Sequence, residues 1–264
     1  MEFLYFFIAA MLFFIAMRVL VFGFKWFTNQ SANLYHRLVY RQHFSYYPVP
    51  LQRFAYYQML SHREQQIFLQ RLHRILITKK ITGRNGLHIT REMQVLLSAS
   101  LTQLTFGFNN YMLPMLREVH LYPDTFYSER VNAQVKGLSM GRGQIMLSWH
   151  HFQQGYFNPT DKLNVGLHEL AHNLWSYMHG LDNSFMQNIE NQLAAHQLQL
   201  SALAGEPTSY FRTYAFANTQ EFWACCVESF FEAPVDFQTQ HAELYQLITQ
   251  VLQQDMAKRW KQLL

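Results

Sequence analysis

Cysteine is almost missing from this chain: there are two in 264 residues, Cys225 and Cys226, and they are neighbours. Adjacent cysteines bridge each other only under severe strain, so a disulfide-stapled secreted fold does not fit and a reducing compartment does. Charge is scarce as well. Charged residues make up 14% of the chain, and the net charge of +4 comes from basic residues that are spread rather than clustered. That leaves no footprint for nucleic acid. Internal repeats and low-complexity tracts are also lacking, which excludes solenoids and arrays. What is abundant is apolar: half of the residues are hydrophobic and 16% are aromatic, so the chain is not disordered. Its length allows one large domain or two small ones with a sizeable core.

Residues 3–24, FLYFFIAAMLFFIAMRVLVFGF, are apolar except for Arg18. At ~1.5 Å per residue this run crosses a ~30 Å hydrocarbon layer. The run reads as a retained membrane anchor within residues 1–27, because Met1-Glu2 carries no positive charge and no small-x-small cleavage site follows. Lys25, Arg37 and Arg41 follow the span and Glu2 precedes it, so the charge bias holds the rest of the chain in the cytoplasm. Residues 28–50 read as a linker closed by Pro48 and Pro50, and residues 51–264 as the folded domain.

Within that domain, Ser61 and Glu64 form a capping-box pattern that starts a helix with Ile67, Leu72, Ile75 and Leu76 inward. Residues 79–90 read as a glycine-marked turn, after which Thr90 caps a helix burying Met93, Leu96, Leu97, Leu101 and Leu104. Residues 118–122 and 143–149 look extended. The second of these precedes the motif helix, and its edge is expected to border a cleft and pair with an extended peptide. His150 and His151 then point to opposite sides of extended backbone, which suits structural or exposed roles. Residues 182–204 read as a helix, 210–216 as an aromatic loop and 218–231 as another helix. A last amphipathic helix is expected from about His241, carrying Leu244, Leu247, Ile248, Val251, Leu252 and Trp260.

Chemistry concentrates in NVGLHELAHNLW at residues 164–175, where His168-Glu169-Leu170-Ala171-His172 has the H-E-x-x-H spacing. On a helix, His168 and His172 share a face and can offer two imidazole nitrogens to one metal ion. Glu169 at the rim of that face can take a proton from a water. A catalytic zinc needs a third protein ligand. His179 misses the extended motif by one residue, and Trp175 stands where that motif has glycine, so His179 is set aside. Glu221 and Glu228, seven residues apart on one face of the downstream helix, are both chemically suitable, and spacing favours neither. Glu221 can instead be the capping partner of Asn218, and Glu228 can orient an imidazole. Tyr214 can donate its hydroxyl to an oxyanion or simply pack.

The stretches KKITGRNGL at 79–87, LSW at 147–149, NVGLHELAH at 164–172 and YAFANTQEFWACCVESFFEAP at 214–234 resemble the Mlc titration factor A family of zinc-dependent peptidases. The likeness runs in order over residues 50–250 or so and leaves out the anchor. It implies an α+β, mostly helical, zincin-like domain with a small antiparallel sheet, gluzincin-like and similar in its catalytic core to anthrax lethal factor. By that likeness His168, His172 and Glu221 are the zinc ligands, Glu169 the general base, Tyr214 the oxyanion donor, and Glu228 a supporting group. Leu174-Trp175 departs from the family's usual Leu-Asp at that place. The family's namesake also binds a transcriptional repressor of sugar uptake, for which no surface is legible here.

The expectation is therefore a membrane-anchored zinc metallopeptidase acting on peptides or proteins, with the lipid bilayer as its other partner. The alternative is a non-catalytic regulatory or partner-binding module that keeps the zinc. The donor set speaks against a purely structural zinc, since such sites usually have four ligands rich in cysteine.

Overall fold

The computed structural model of the protein describes residues 48–261 except 142 and 182, together with Met17 and Arg18. The span expected at residues 3–24 and the linker to residue 47 otherwise lie outside the described residues. Among the described residues no helix is long and apolar enough to cross a membrane.

Two single-turn helices, α1 (Pro48–Leu51) and α2 (Ala55–Gln58), lead into α3 (His62–Thr78). Ser61 starts α3 with the expected capping box: its hydroxyl accepts from the Glu64 N–H, and the Glu64 carboxylate accepts from the Ser61 N–H at 3.0 Å. Leu72, Ile75 and Leu76 are buried as their spacing implies, whereas Ile67 is exposed. In α4 (Arg91–Leu104) the Thr90 hydroxyl accepts from the Met93 N–H at 3.2 Å, and all five expected apolar residues are buried.

The chain places a strand inside the segment that reads as a turn. β1 (Lys80–Gly83) pairs parallel with β2 (Glu118–Tyr122), which pairs parallel with β6 (Gln144–Ser148). Only β5 (Gly137–Gly141) runs antiparallel, on the far side of β6, giving the order β1-β2-β6-β5. A separate antiparallel hairpin joins β3 (Phe126–Ser128) to β4 (Ala133–Val135). The expected antiparallel sheet is thus a mixed one. The reason is connection length: α4 and the β3–β4 hairpin fill the two crossovers, and long crossovers bring strands back parallel, whereas two residues of sequence separate β5 from β6. Val119, Leu121, Ile145 and Leu147 line the buried face, while Lys80, Glu118 and Gln144 form a row on the other.

Ser148 ends β6 and at once caps α5 (Trp149–Phe157), its hydroxyl accepting from the His151 N–H at 3.3 Å. His150 and His151 therefore sit on a first helical turn and not on a strand, which corrects the expectation for them. The remaining helices are α6 (Val165–His179), α7 (Asn183–Ser201), α8 (Thr219–Glu232), α9 (Pro234–Gln240), α10 (Ala242–Leu252) and α11 (Met256–Lys261). A short 3-10 turn, Thr213–Phe216, occupies the aromatic loop before α8. The single last helix expected from the sequence is two helices. Gln253, with φ of 53°, closes α10 in the left-handed region, and Trp260 belongs to α11.

α8 is the centre of the core. Its residues Phe222 through Glu232 are all buried, and Trp223 and Phe230 have no exposed surface. Burying each large apolar side chain is worth roughly 1.5–3 kcal/mol, so packing alone holds this helix in place. The Trp223 indole N–H donates to the Ala171 carbonyl at 2.9 Å and ties α8 to α6. Two rigid helices thereby face each other across the functional residues.

Candidate active site and metal centre

Asn164 caps α6 by accepting from the Leu167 N–H at 3.0 Å, which sets the phase in which His168 and His172 emerge on one face. Asn218 caps α8 in the same way, accepting from the Glu221 N–H at 3.0 Å. The Glu221 carboxylate itself turns to the imidazoles. Its Oε2 lies 3.0 Å from His168 Nε2 and 3.3 Å from His172 Nε2, and the two Nε2 atoms are 3.2 Å apart. Glu228, one face-repeat deeper, instead meets the other side of the same ring: its Oε2 is 3.1 Å from His168 Nδ1. A carboxylate there favours a proton on Nδ1 and leaves Nε2 facing Glu221 and His172.

The electrostatics follow the packing. Burial works against a proton on His168, but hydrogen bonds with Cys225, Glu221 and Glu228 outweigh it and hold this imidazole well above its ordinary range. Burial also opposes charge on Glu221, yet the two histidines win and keep its carboxyl far below the usual value. The cluster is thus built to hold positive charge. Glu169 is buried beside it, and burial pushes its carboxyl up, partly offset by His168 and His172. The Tyr214 ring lies 6.1 Å from His168, and its hydroxyl hydrogen-bonds with Glu221.

A cleft of about 800 Å³ opens beside this cluster, bounded by Val135, Gly137, His151, Leu163, Arg212 and Tyr214, with His168 and Glu169 in its floor. The sheet reaches it at Gly137, the first residue of the edge strand β5. β6, expected in that place, is interior, flanked by β2 and β5. His151 lines the cleft, and His150 is exposed. His179 points elsewhere, with Nδ1 2.9 Å from the Trp175 carbonyl and Nε2 3.3 Å from Glu190. Trp175 is itself buried, packed on Trp223 at 5.7 Å.

A model of the glucose-regulated metallo-peptidase M90 family matches residues 38–253. The chain belongs to the M90 metallo-peptidase family. Mlc titration factor A of Serratia proteamaculans is 25% identical to it over 225 residues, which is 77% of this chain and 85% of that protein. The Klebsiella pneumoniae protein of the same name is 25% identical over 234 residues, 76% of this chain and 83% of the relative. An uncharacterised protein of Synechocystis is 26% identical over 216 residues, 74% of this chain and 78% of its own length.

An M90 metallo-peptidase implies a metal ion, and the donors here fit one. Bonds of ~2.0–2.1 Å directed to tetrahedral corners put neighbouring donor atoms about 3.3 Å apart. The three separations of 3.0, 3.2 and 3.3 Å match that spacing, with one carboxylate and two imidazole donors. His168, Cys225 and Glu228 also converge, but the Arg212 guanidinium already bonds both Glu228 and Cys225, so that position has its own cation.

Several participants were not singled out from the sequence. Glu232 was legible in principle, since it lies four residues beyond Glu228 on the same face of α8. Its Oε1 accepts from Asn164 Nδ2 at 2.9 Å and its Oε2 from the Leu163 N–H at 3.0 Å. Arg212 lies in a loop, where no periodicity marks a contact. Gly137 and Ser139 belong to β5, whose glycine-bounded sequence GLSMG carries no strand pattern.

Proposed function

We propose that this M90 protein is a membrane-anchored zinc peptidase in which His168, His172 and Glu221 hold the metal, Glu169 is the general base and Tyr214 the oxyanion donor. The observation that carries the reading is the convergence of two Nε2 atoms and one carboxylate oxygen within 3.0–3.3 Å, with His168 of that set and the buried Glu169 in the floor of a cleft. A bound zinc supplies a Lewis acid that polarises the peptide carbonyl and acidifies a water. Glu169 takes the proton of the attacking water and delivers it to the leaving amine. Its burial strengthens it as a base. Tyr214, whose hydroxyl is pushed up to about 12 by burial and by Glu221, keeps its proton at neutral pH and donates it in a hydrogen bond to the developing oxyanion. An extended substrate lies along the outer edge of β5. In this reading residues 3–24 anchor the chain and residues 51–264 face the cytoplasm.

The test is metal content and cleavage of a mixed peptide library by the full-length protein in detergent. Wild type and Glu169→Gln should each hold one zinc, and Glu221→Ala none. Cleavage should belong to wild type alone, falling by roughly 10²–10⁴ in Glu169→Gln. Zinc without cleavage by any form would favour a binding module, and no zinc would overturn the reading.

A further inference from the structure

Gly137 opens β5 opposite Leu147, a place where glycine weakens a strand and offers nothing to pack. Its backbone does not explain it, because the described glycines with positive φ are Gly86, Gly143 and Gly205. Space does. A Cβ at residue 137 would lie 2.6 Å from Val165 Cγ2, 2.7 Å from Glu169 Cγ and 2.8 Å from Glu169 Oε1. Ordinary carbon contacts begin at about 3.5 Å. Neither neighbour can step aside cheaply: Val165 is β-branched and stiff at the first turn of α6, and Glu169 is buried with its carboxylate accepting from the Ser139 N–H of the same strand. Other tight glycines in the molecule meet different partners. Gly166, for example, abuts the ring of Phe152, so its spacing serves helix packing.

We propose that Gly137 is a positioning residue for Glu169: the missing side chain lets the carboxylate lie flat against β5, where Ser139 and the strand backbone fix its aim. This rests on the peptidase reading for its catalytic meaning, but the contact itself does not. Alanine at 137 forces the carboxylate back by about 0.7 Å, the shortfall from ordinary contact. Displacements near 1 Å cost on the order of 10²-fold in rate when they fall on a reacting group. The atoms nearest that Cβ belong to Val165 and Glu169 and not to His168, His172 or Glu221, so the metal donors are expected to keep their places.

The experiment compares the full-length wild type with Gly137→Ala and Glu169→Ala by amide hydrogen exchange, zinc content and steady-state peptide cleavage. In Gly137→Ala the Ser139 amide should exchange at least ten-fold faster, approaching Glu169→Ala, with one zinc still bound. For cleavage, kcat should fall roughly 10–100-fold with KM unchanged. Unchanged Ser139 exchange together with unchanged kcat would overturn the proposal. If wild type cleaves nothing, the peptidase reading fails, while Ser139 exchange still decides whether Gly137 positions Glu169. The second variant is Gly137→Ala with Val165→Ala, which relieves the valine contact and keeps the one with Glu169. It also serves if the single variant does not fold. Continued loss of kcat and of Ser139 protection there supports positioning of Glu169, whereas full recovery would mean the clash was with Val165 alone and would overturn it.

Discussion

The two ends of α8 carry the same side chain and put it to opposite uses. At the N-terminal end, Glu221 faces two imidazoles, and its carboxyl is held far below the usual range despite burial. Eleven residues further on, about three helical turns, Glu232 faces backbone and amide N–H groups and the charge of Glu228, and burial pushes its carboxyl up to about 8. Glu228 stands between them and belongs to both: Oε2 meets His168 and Arg212, while Oε1 accepts from the Asn164 N–H at 2.8 Å. The partners show that α6 and α8 run antiparallel, so one end of the pair gathers a cation and the other holds the N-terminus of α6, where the helix dipole welcomes carboxylates. Position along one helix decides whether a glutamate serves chemistry or architecture.

The sharpest way to break this contrast is to delete each kind of glutamate. Glu221→Ala should lose stoichiometric zinc and all cleavage while the melting temperature of the metal-stripped protein stays within a few degrees of wild type. Glu228→Ala should do the reverse in part. Losing the group that orients His168 should weaken zinc about 10–100-fold. It also leaves Arg212 facing an empty place, and because that guanidinium is about a third exposed the loss of stability is about 2 kcal/mol rather than the full value of a buried pair. Zinc competition titrations and urea denaturation measure both. A Glu221→Ala protein that unfolds more readily than Glu228→Ala would erase the division between the ends.

Much of this division was legible in the residues, and the part that was not has a physical cause. The H-E-x-x-H spacing, the caps at Ser61, Thr90 and Asn218, and the face shared by Glu221 and Glu228 are all local, within a few helical turns, and the helices formed where those signals lie. What spacing left open was which carboxylate meets which nitrogen of His168, because that depends on how α6 and α8 cross. β1 and β5 were missed for a related reason. Lys80, Gly83 and the glycines of β5 have little strand propensity, and these segments are strands because distant partners on β2 and β6 accept them. Hydrophobic spacing alone puts Trp260 in one long helix, because it cannot register a left-handed residue such as Gln253. The expected membrane anchor stands on the sequence alone, since all of its residues but Met17 and Arg18 lie outside those described.

The mildest change refines the comparison at its buried end. In Glu232, burial raises the carboxyl, the Asn164 hydrogen bond holds it back, and the charge of Glu228 adds to the rise, leaving it near 8. An unfolded chain titrates the same group near 4.3. Between those values the folded protein binds the proton more tightly than the unfolded one, so the slope of stability with pH is negative, at about 1.4 kcal/mol per pH unit from this group. The stabilisation is full below pH ~4 and is lost as pH rises through 8. Glu232→Gln removes the titration without removing the side chain. The stability of wild type minus that of the variant should therefore decline by a few kcal/mol from pH 5 to pH 8 in urea denaturation, with zinc content unchanged. Parallel curves would mean that the N–H groups of Leu163 and Asn164 keep Glu232 ionised against its burial. The two ends of α8 would then differ in what their carboxylates hold and not in whether they carry charge.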